Sequence, residues 1–238
     1  MTTSIDRRET AVVIGGSLAG LLAARVLADY FEQVTVVERG VFSVEADARS
    51  DVPQASHTHV LLLRGRQIME RLLPGLEAEV LAQGAPLSDS GLDTLTYGRY
   101  GWAPRWDTGL KTFAASRHLL DVVTRRRVLA LPNVQARAGH EVIGLLADAG
   151  TVRGVRLRRR TPDAVEEHLH ADFVVDAGGR SSRMPEWLVE LGFPRPRETV
   201  IDAHVGYATR WYRRPLGADP GWKTLTIQSL APEIPRGG

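Results

Sequence analysis

The chain has 238 residues, of which 43% are hydrophobic and 24% charged, and its formal net charge is only +2. These proportions are typical of a globular protein with a sizeable core, in one domain or two small ones, and exclude a disordered chain. Because the sequence contains no cysteine, disulfides, thiolate nucleophiles, iron–sulfur clusters and cysteine zinc sites are excluded. The small charge excess does not indicate nucleic-acid binding, and no apolar run is long enough to span a bilayer.

The first forty residues predict a strand–helix–strand unit. Residues 11–14 form a short apolar run followed by glycines, as in a strand that is buried on both faces. Residues 18–30 carry leucine and valine at helical spacing, and residues 34–38 form a second β-branched run. This order of elements is that of a βαβ unit. The two strands should therefore be parallel, with a right-handed crossover.

An arginine pair, Arg7-Arg8, precedes this unit and resembles the start of a twin-arginine signal peptide. We interpret the pair as coincidental, because the apolar stretch contains patterned glycines and is followed by a second strand that ends at Glu38. The chain is therefore expected to be cytoplasmic, without a membrane span.

The rest of the chain alternates helical and extended segments. Helical spacing predicts helices at 61–73, 76–83, 117–131 and 183–191. Alternating or β-branched runs predict strands at 134–138, 141–146, 152–160, 166–170, 173–176, 199–212 and 222–230. Residues 85–109, which are rich in Gly, Pro, Tyr and Trp, are expected to form short strands and loops. The arginine-rich run 153–160 is interpreted as an amphipathic strand, because it lacks the aromatic residues that stack on RNA bases.

The sequence GGSLAG, from Gly15 to Gly20, lies between the first strand and the first helix, as the dinucleotide-binding fingerprint requires. Gly15 allows the tight turn, Gly20 lets the helix pack on the strand, and the helix N-terminus offers N–H groups to a pyrophosphate. Ser17 replaces the second glycine of the fingerprint, but serine is small and its hydroxyl can donate to a phosphate. Glu38 lies 18 residues after Gly20, near the roughly 20 expected for the acid that binds a ribose hydroxyl. The predicted dinucleotide site therefore consists of Gly15, Gly16, Ser17, Gly20 and Glu38.

Gly15 and Ser17 also match the start of the G-x-S-x-G nucleophile elbow of α/β hydrolases. In that alternative Ser17 would be the nucleophile, with Asp176 and His204 as its partners. Two features oppose it: Ala19 stands at the fifth position, and only ten residues precede the first predicted strand. Ten residues are too few for the upstream loop that supplies the oxyanion hole.

A second acid–glycine segment, DFVVDAGGRSSR, occurs at residues 172–183. A buried strand ends at Asp176 and is followed by Ala-Gly-Gly, so a carboxylate and an unobstructed backbone face the same crevice. Ligands of doubly wound sheets bind beyond the carboxyl ends of the strands. The segment therefore indicates a long cofactor that is contacted at several points; the alternative is an ordinary turn from a strand to a helix.

These motifs, in this order, resemble the FAD-dependent monooxygenases of the para-hydroxybenzoate hydroxylase type. The resemblance rests on VIGGSLAGL (13–21), VVER (36–39), SRHLL (116–120) and DAGGRSSR (176–183). The segment VPQASHTHVLL (52–62) resembles a subgroup of bacterial polyketide epoxidases and related hydroxylases.

The resemblance implies an α/β fold, with a Rossmann-like FAD-binding domain of the GR2 type and a smaller β-rich substrate region. We expect the FAD-binding domain at 1–84 and 112–191, and the substrate-facing region at 85–111 and 192–238. The family continues into a Gly-Asp-Ala motif and a long helix, and no such motif follows Gly179. A C-terminal truncation, with a missing segment as a partner, is therefore expected.

The resemblance also implies the cofactors and the site. FAD would be bound, NAD(P)H would donate electrons, and O2 and a small aromatic or alkene-containing molecule would be the substrates of a hydroxylation or epoxidation. In the family, Arg117 would contact the flavin nucleotide, Val142 would touch the adenine through its backbone, and the turn after Asp176 would contact FAD and NAD(P)H. The predicted cofactor-binding residues are Gly15, Gly16, Ser17, Gly20, Glu38, Arg39, Arg117, Val142, Asp176 and Gly178.

His57 and His59 lie two residues apart and would face one side of an extended chain, as metal ligands can. No third ligand lies nearby in the sequence, so no metal is predicted. The resemblance instead implies that the segment with Gln54, His57 and His59 approaches the flavin ring. No side chain is assigned as catalytic, because the chemistry would belong to the flavin.

Two further functions stay open. A flavin-dependent reductase of isoprenoid double bonds would use the same cofactor without consuming O2 in step with product. A non-catalytic, truncated nucleotide-binding fragment would need another polypeptide. A flavin halogenase is disfavoured, because those enzymes use an active-site lysine and a W-x-W-x-I-P motif, and neither is present here in matching context.

Overall fold

The computed structural model describes residues 8–42, 57, 59–213, 215–217, 219–230, 232–233 and 235–238. The chain divides into two compact units: Met1–Pro53 with His118–Gly206, and Gln54–Arg117 with Tyr207–Gly238. None of the helices in the described part of the chain combines the length and the apolar character that a membrane crossing requires.

The elements alternate along the chain much as the hydrophobic pattern predicts. The helices of the described residues are α1 (Leu18–Leu27), α2 (Leu63–Leu72), α3 (Leu76–Ala82), α4 (Arg117–Leu129) and α5 (Met184–Glu190). The strands of these residues are β1 (Arg8–Ile14), β2 (Phe31–Glu38), β3 (Leu87–Asp89), β4 (Thr94–Gly98), β5 (Gly101–Trp102), β6 (Lys111–Phe113), β7 (Val134–Ala138), β8 (His140–Asp148), β9 (Thr151–Arg159), β10 (Glu166–His170), β11 (Phe173–Asp176) and β12 (Thr224–Ile227).

A parallel sheet with the strand order β11–β1–β2–β7 is the centre of the first unit. β1 and β2 are parallel neighbours connected through α1, as the sequence predicts. The consecutive residues Val12 and Val13 of β1 are both buried, although they point to opposite faces of the sheet. The middle of this sheet is therefore covered on both sides, which explains why its strands are continuous apolar runs.

The strand order brings three carboxyl ends to one edge of this sheet. β2 lies on one side of β1, and β11, from far along the chain, lies on the other side with Ile14 opposite Asp176. The ends of the three strands are followed by Gly15, by Arg39 and by Ala177. In doubly wound sheets a ligand binds where the strand order reverses in this way.

An antiparallel sheet with the order β10–β9–β8 completes the first unit together with α5. Val155 and Leu157 of β9 are buried in one cluster with Trp187 of α5 and with Val12 of the parallel sheet. The intervening Arg156 is half-exposed and pairs with Glu166 of β10 at 3.6 Å. The arginine-rich run is thus an amphipathic strand, as predicted.

The second unit contains α2, α3 and two small sheets. β3 and β6 pair antiparallel, and α2 and α3 both contact β6. The large buried hydrophobic side chains of this part are Met69, Leu73, Leu76, Val80 and Phe113. The other sheet has the order β12–β4–β5, with β12 parallel to β4.

The strand predicted at 199–212 is wrong. The structure describes all of these residues, and none of them lies in a helix or a strand. Their large side chains are exposed, among them Ile201, Tyr207 and Trp211. Residues of this kind favour strands mainly because they pack on neighbouring strands, and no described strand pairs with this segment.

Candidate dinucleotide-binding site

The glycine turn after β1 is close-packed on its neighbours. The Gly15 N–H donates to the Val37 carbonyl at 2.8 Å, so the turn continues the ladder between β1 and β2. Gly15 has a φ of 100°, and a Cβ there would lie 2.5 Å from the Ala177 carbonyl oxygen. A Cβ on Gly20 would overlap the carbonyl oxygen of Gly15. The first and last glycines of the predicted fingerprint therefore have the structural roles that the sequence assigns to them.

Glu38 ends β2 with its carboxylate beside the glycine turn. Oε2 accepts a hydrogen bond of 2.6 Å from the Gly16 N–H, and Oε1 accepts one of 2.7 Å from the Gly40 N–H. The residue is 5% exposed, so these charge-assisted bonds offset part of the cost of burying it. The structure thus places Glu38 beside the glycine turn, as the 18-residue spacing between Gly20 and Glu38 predicts.

The turn after β11 lies against Gly15. The Ala177 N–H donates to the Ile14 carbonyl at 2.8 Å, which continues the pairing of β11 with β1. Asp176 accepts from the Gly178 N–H at 2.9 Å, and its other oxygen accepts from the Ser182 hydroxyl. The Ser182 oxygen in turn accepts from the N–H of Met184, the first residue of α5. Asp176 therefore orients the turn beside Gly15 and connects it to α5.

Val142, Arg39 and Arg117 are three further residues of the predicted cofactor site. Val142 lies on β8 at a bulge, where the pairing with β9 shifts between Val142 and Gly144. Bulges leave backbone groups outside the ladder, which suits a backbone contact. Arg39 is exposed, and its carbonyl accepts from Arg160 at 3.4 Å. Arg117 is the first residue of α4 and the last residue of the segment Gln54–Arg117, which belongs to the second unit.

The histidines of the second unit, His57 and His59, have hydrogen-bond partners within that unit. His57 Nδ1 lies 2.9 Å from the Thr209 hydroxyl oxygen, and His59 Nδ1 donates to the carbonyl of His57 at 2.9 Å. Gln54 lies outside the described residues. Among the residues that are described, no group of three or more His, Asp or Glu side chains is placed to hold a metal ion.

Sequence reasoning missed Phe42 and Arg125. The ring of Phe42 packs on the buried Gly16, and the guanidinium carbon of Arg125 lies 5.3 Å from the centre of that ring. Arg125 is only 7% exposed. The one available signal was the position of Arg125 in α4, three residues before the apolar Val128 and so on the same side of the helix.

The sheet order, the glycine turn at its switch point and the buried Glu38 define a dinucleotide-binding protein of the doubly wound α/β class. Within that class, the chain belongs to the FAD binding domain family, which matches residues 8–206. FAD is therefore the dinucleotide that this site is built to bind. Glu38 and the glycine turn fit its adenosine ribose and pyrophosphate, since they present a carboxylate and peptide N–H groups side by side.

Known proteins similar to this chain are considerably longer. Protein Rv3254 of Mycobacterium tuberculosis is 39% identical over 225 residues, which cover 88% of this chain and 46% of that protein. Kynurenine 3-monooxygenase of Sus scrofa is 26% identical over 196 residues, 80% of this chain and 38% of that protein. The solved structure of the myxobacterial chondrochloren halogenase, an FAD-dependent halogenase, is similar with a TM-score of 0.55 and 25% identity, over 74% of this chain and 38% of that one. The chain thus spans less than half the length of these relatives.

Proposed function

We propose that the chain acts as an FAD-dependent monooxygenase of the para-hydroxybenzoate hydroxylase type, in the subgroup that resembles bacterial polyketide epoxidases. Two electrons come from NAD(P)H. One oxygen atom of O2 enters a small aromatic or alkene-containing substrate, and the other leaves as water. The observation that carries the proposal is the buried carboxylate of Glu38, bonded to the Gly16 N–H at the switch point of the sheet. The oxygenation step is supported by the similarity to kynurenine 3-monooxygenase.

In this proposal the first unit holds the adenosine and diphosphate of FAD. Glu38 accepts hydrogen bonds from the ribose hydroxyls in addition to those from the Gly16 and Gly40 N–H groups. The peptide N–H groups at the start of α1, with its positive dipole end, bind the diphosphate next to Ser17. The remaining contacts proposed are those of Gly15, Gly20, Arg39, Arg117 and the Val142 backbone.

The other proposed contacts concern the flavin end of the cofactor. The turn that Asp176 holds through Gly178 and Ser182 supports it. The segment with His57 and His59 approaches the ring, which is the part of FAD that transfers electrons from NAD(P)H to O2 when bound. The chain's own contribution is to bind, to orient and to exclude water.

The experiment that tests the monooxygenase proposal measures O2 uptake and NAD(P)H oxidation together, with the purified chain, FAD and NADH or NADPH. We expect oxidation that requires FAD and consumes one O2 per NAD(P)H. Isotopically labelled O2 should place one oxygen atom in a product that a phenolic probe forms. With an isoprenoid alkene added as the electron acceptor, FAD-dependent NAD(P)H oxidation that proceeds equally fast without O2 and reduces the alkene would contradict the proposal and would favour the reductase of isoprenoid double bonds.

A flavin-dependent halogenase is the second candidate, because the chondrochloren halogenase is 25% identical in sequence to this chain. The lysine content of the chain opposes this function, because flavin halogenases use an active-site lysine. The chain has only Lys111 and Lys223, and the Lys223 ammonium donates to Asp93 at 2.9 Å and to the Leu87 carbonyl at 2.7 Å. Bromide added to the same assay separates the two functions, since a halogenase forms brominated product and a monooxygenase does not.

A further inference from the structure

The ring of Phe42 lies directly against the glycine turn and next to Glu38. A Cβ built on Gly16 would lie 2.7 Å from the ring atom Cζ of Phe42 and 3.0 Å from Oε2 of Glu38. The edge of the ring and the carboxylate therefore meet at Gly16, which is buried between them. A Cβ at this position would displace the ring or the carboxylate, which is a reason for glycine here beyond those of the dinucleotide fingerprint.

Arg125 of α4 covers the face of the same ring. Its guanidinium carbon lies 5.3 Å from the ring centre, within the range of a cation–π contact. Because Arg125 is nearly buried, this contact is desolvated and stronger than it would be on the surface. Phe42 is thus held in one place, with its edge on Gly16 and its face under a cation.

The position of Phe42 affects how Glu38 meets a ligand. Water competes with ribose hydroxyls for the carboxylate oxygens, and Glu38 is 5% exposed with the ring in place. Hydrogen bonds to a carboxylate are stronger where water and its high dielectric constant are excluded. Removing the ring would open space beside Oε2, admit water and let the carboxylate turn away from the Gly16 N–H.

We propose that Phe42 is a positioning residue for the adenosine half of the cofactor: it excludes water from Glu38 and keeps that carboxylate on the Gly16 N–H. Phe42 acts only through Glu38 and need not touch the cofactor. The inference rests on the proposed function, in which Glu38 accepts hydrogen bonds from the ribose of FAD.

The test is a double-mutant cycle on FAD affinity, measured by quenching of flavin fluorescence. The variants are Phe42→Ala, Glu38→Ala and the double variant, with Val41→Ala, an exposed neighbour, as the matched control. We expect Phe42→Ala to weaken FAD binding about tenfold in the native background and less than about twofold when Glu38 is already alanine, since contacting residues couple. Val41→Ala should leave the affinity unchanged.

The outcomes separate the inference from the function on which it rests. Equal losses from Phe42→Ala in both backgrounds, which a merely structural role predicts, would overturn the inference. So would an unchanged affinity of Phe42→Ala when Glu38→Ala binds more weakly. A native chain that does not bind FAD, or that binds it no better than Glu38→Ala, contradicts the proposed function itself.

A second variant keeps the test decisive where Phe42→Ala does not fold. Arg125→Met removes the cation over the ring but keeps an apolar side chain of similar length. It should weaken FAD binding about threefold when Glu38 is present, with no loss in the Glu38→Ala background. A threefold loss in both backgrounds, or in neither, would overturn the inference.

Discussion

Each glycine of the turn is required by a different neighbour. Gly15 has a backbone conformation that other residues rarely adopt, and it also touches the Ala177 carbonyl. Gly16 leaves space for Phe42, and Gly20 leaves space for the carbonyl of Gly15. The contacts of Gly15 and Gly20 follow from the known fingerprint and were predictable. The contact between Gly16 and Phe42 was not, because no spacing rule relates a glycine turn to an aromatic residue beyond the next strand.

Gly20→Ala tests the close packing of α1 on the turn. Its Cβ would overlap the Gly15 carbonyl oxygen, so α1 must move away from β1, at a cost of about 1–3 kcal/mol for an overpacked contact. The urea midpoint of unfolding should fall accordingly. Ala19→Ser, at an exposed position of the same helix, should change stability by less than about 0.5 kcal/mol. Equal midpoints for Gly20→Ala and the native chain would show that the turn has more room than the contact implies.

The two C-terminal segments that were predicted as strands, 199–212 and 222–230, differ in structure because only the second has a neighbouring strand to pair with. β12 pairs with β4, and the N–H groups of Lys223 and Thr224 donate to the Asp93 carbonyl. The Lys223 ammonium also donates to the Asp93 carboxylate. The segment 199–212 has the same residue preferences but no described strand beside it. Local preference could not distinguish the two, since the partner lies more than a hundred residues away.

Lys223→Met tests what fixes β12 on β4. The substitution removes the hydrogen bonds of the ammonium to Asp93 and Leu87 but keeps the apolar stem. We expect the amides of β12 to exchange with solvent at least about threefold faster in hydrogen-exchange experiments, because the strand opens more often. Lys111→Met, at the other lysine, is the control and should leave that exchange unchanged. Unchanged protection in Lys223→Met would mean that backbone pairing alone holds the strand.

Low pH should destabilise the part of the second unit around Asp89 and Asp93. Hydrogen bonds from Lys223 and from the Asp89 N–H hold the pKa of Asp93 below its usual value. The pKa of Asp89 is also lowered, mainly by the hydrogen bond from the Leu92 N–H, with a further contribution from Thr108. A lowered native pKa stabilises the fold above the ordinary pKa of about 3.9, and this stabilisation is lost as the pH falls through the native value.

The urea midpoint should therefore fall steeply below about pH 4. Asp93→Asn should make that fall shallower, because its side chain no longer titrates, whereas Asp163→Asn, at an exposed position, should have the same pH dependence as the native chain. Identical pH profiles for Asp93→Asn and the native chain would show that titration of Asp93 does not contribute to the loss of stability at low pH.

At the scale of the whole molecule, local patterns predicted the elements of the first unit but not how its sheets are assembled. The βαβ unit followed from residues 11–38 because its two strands are close in sequence. The position of β11 beside β1 depends on a pairing across about 160 residues, which only the matching of motifs to a family could suggest. The division of the second unit into two small sheets was not predicted, since their strands are too short to have a clear period.

The proposed function depends on one contact of the first unit: Glu38, which the parallel sheet places beside the glycine turn, is proposed to bind the ribose of FAD. The most direct test is the FAD dissociation constant of the purified chain and of Glu38→Ala, measured by flavin fluorescence. We predict saturable binding that is at least about tenfold weaker in Glu38→Ala, because hydrogen bonds to a charged group contribute about 1.5–3 kcal/mol. Glu32→Ala, at an exposed position of the same strand, should bind FAD as the native chain does. Equal affinities for the native chain and Glu38→Ala, or no saturable binding by the native chain, would contradict the account.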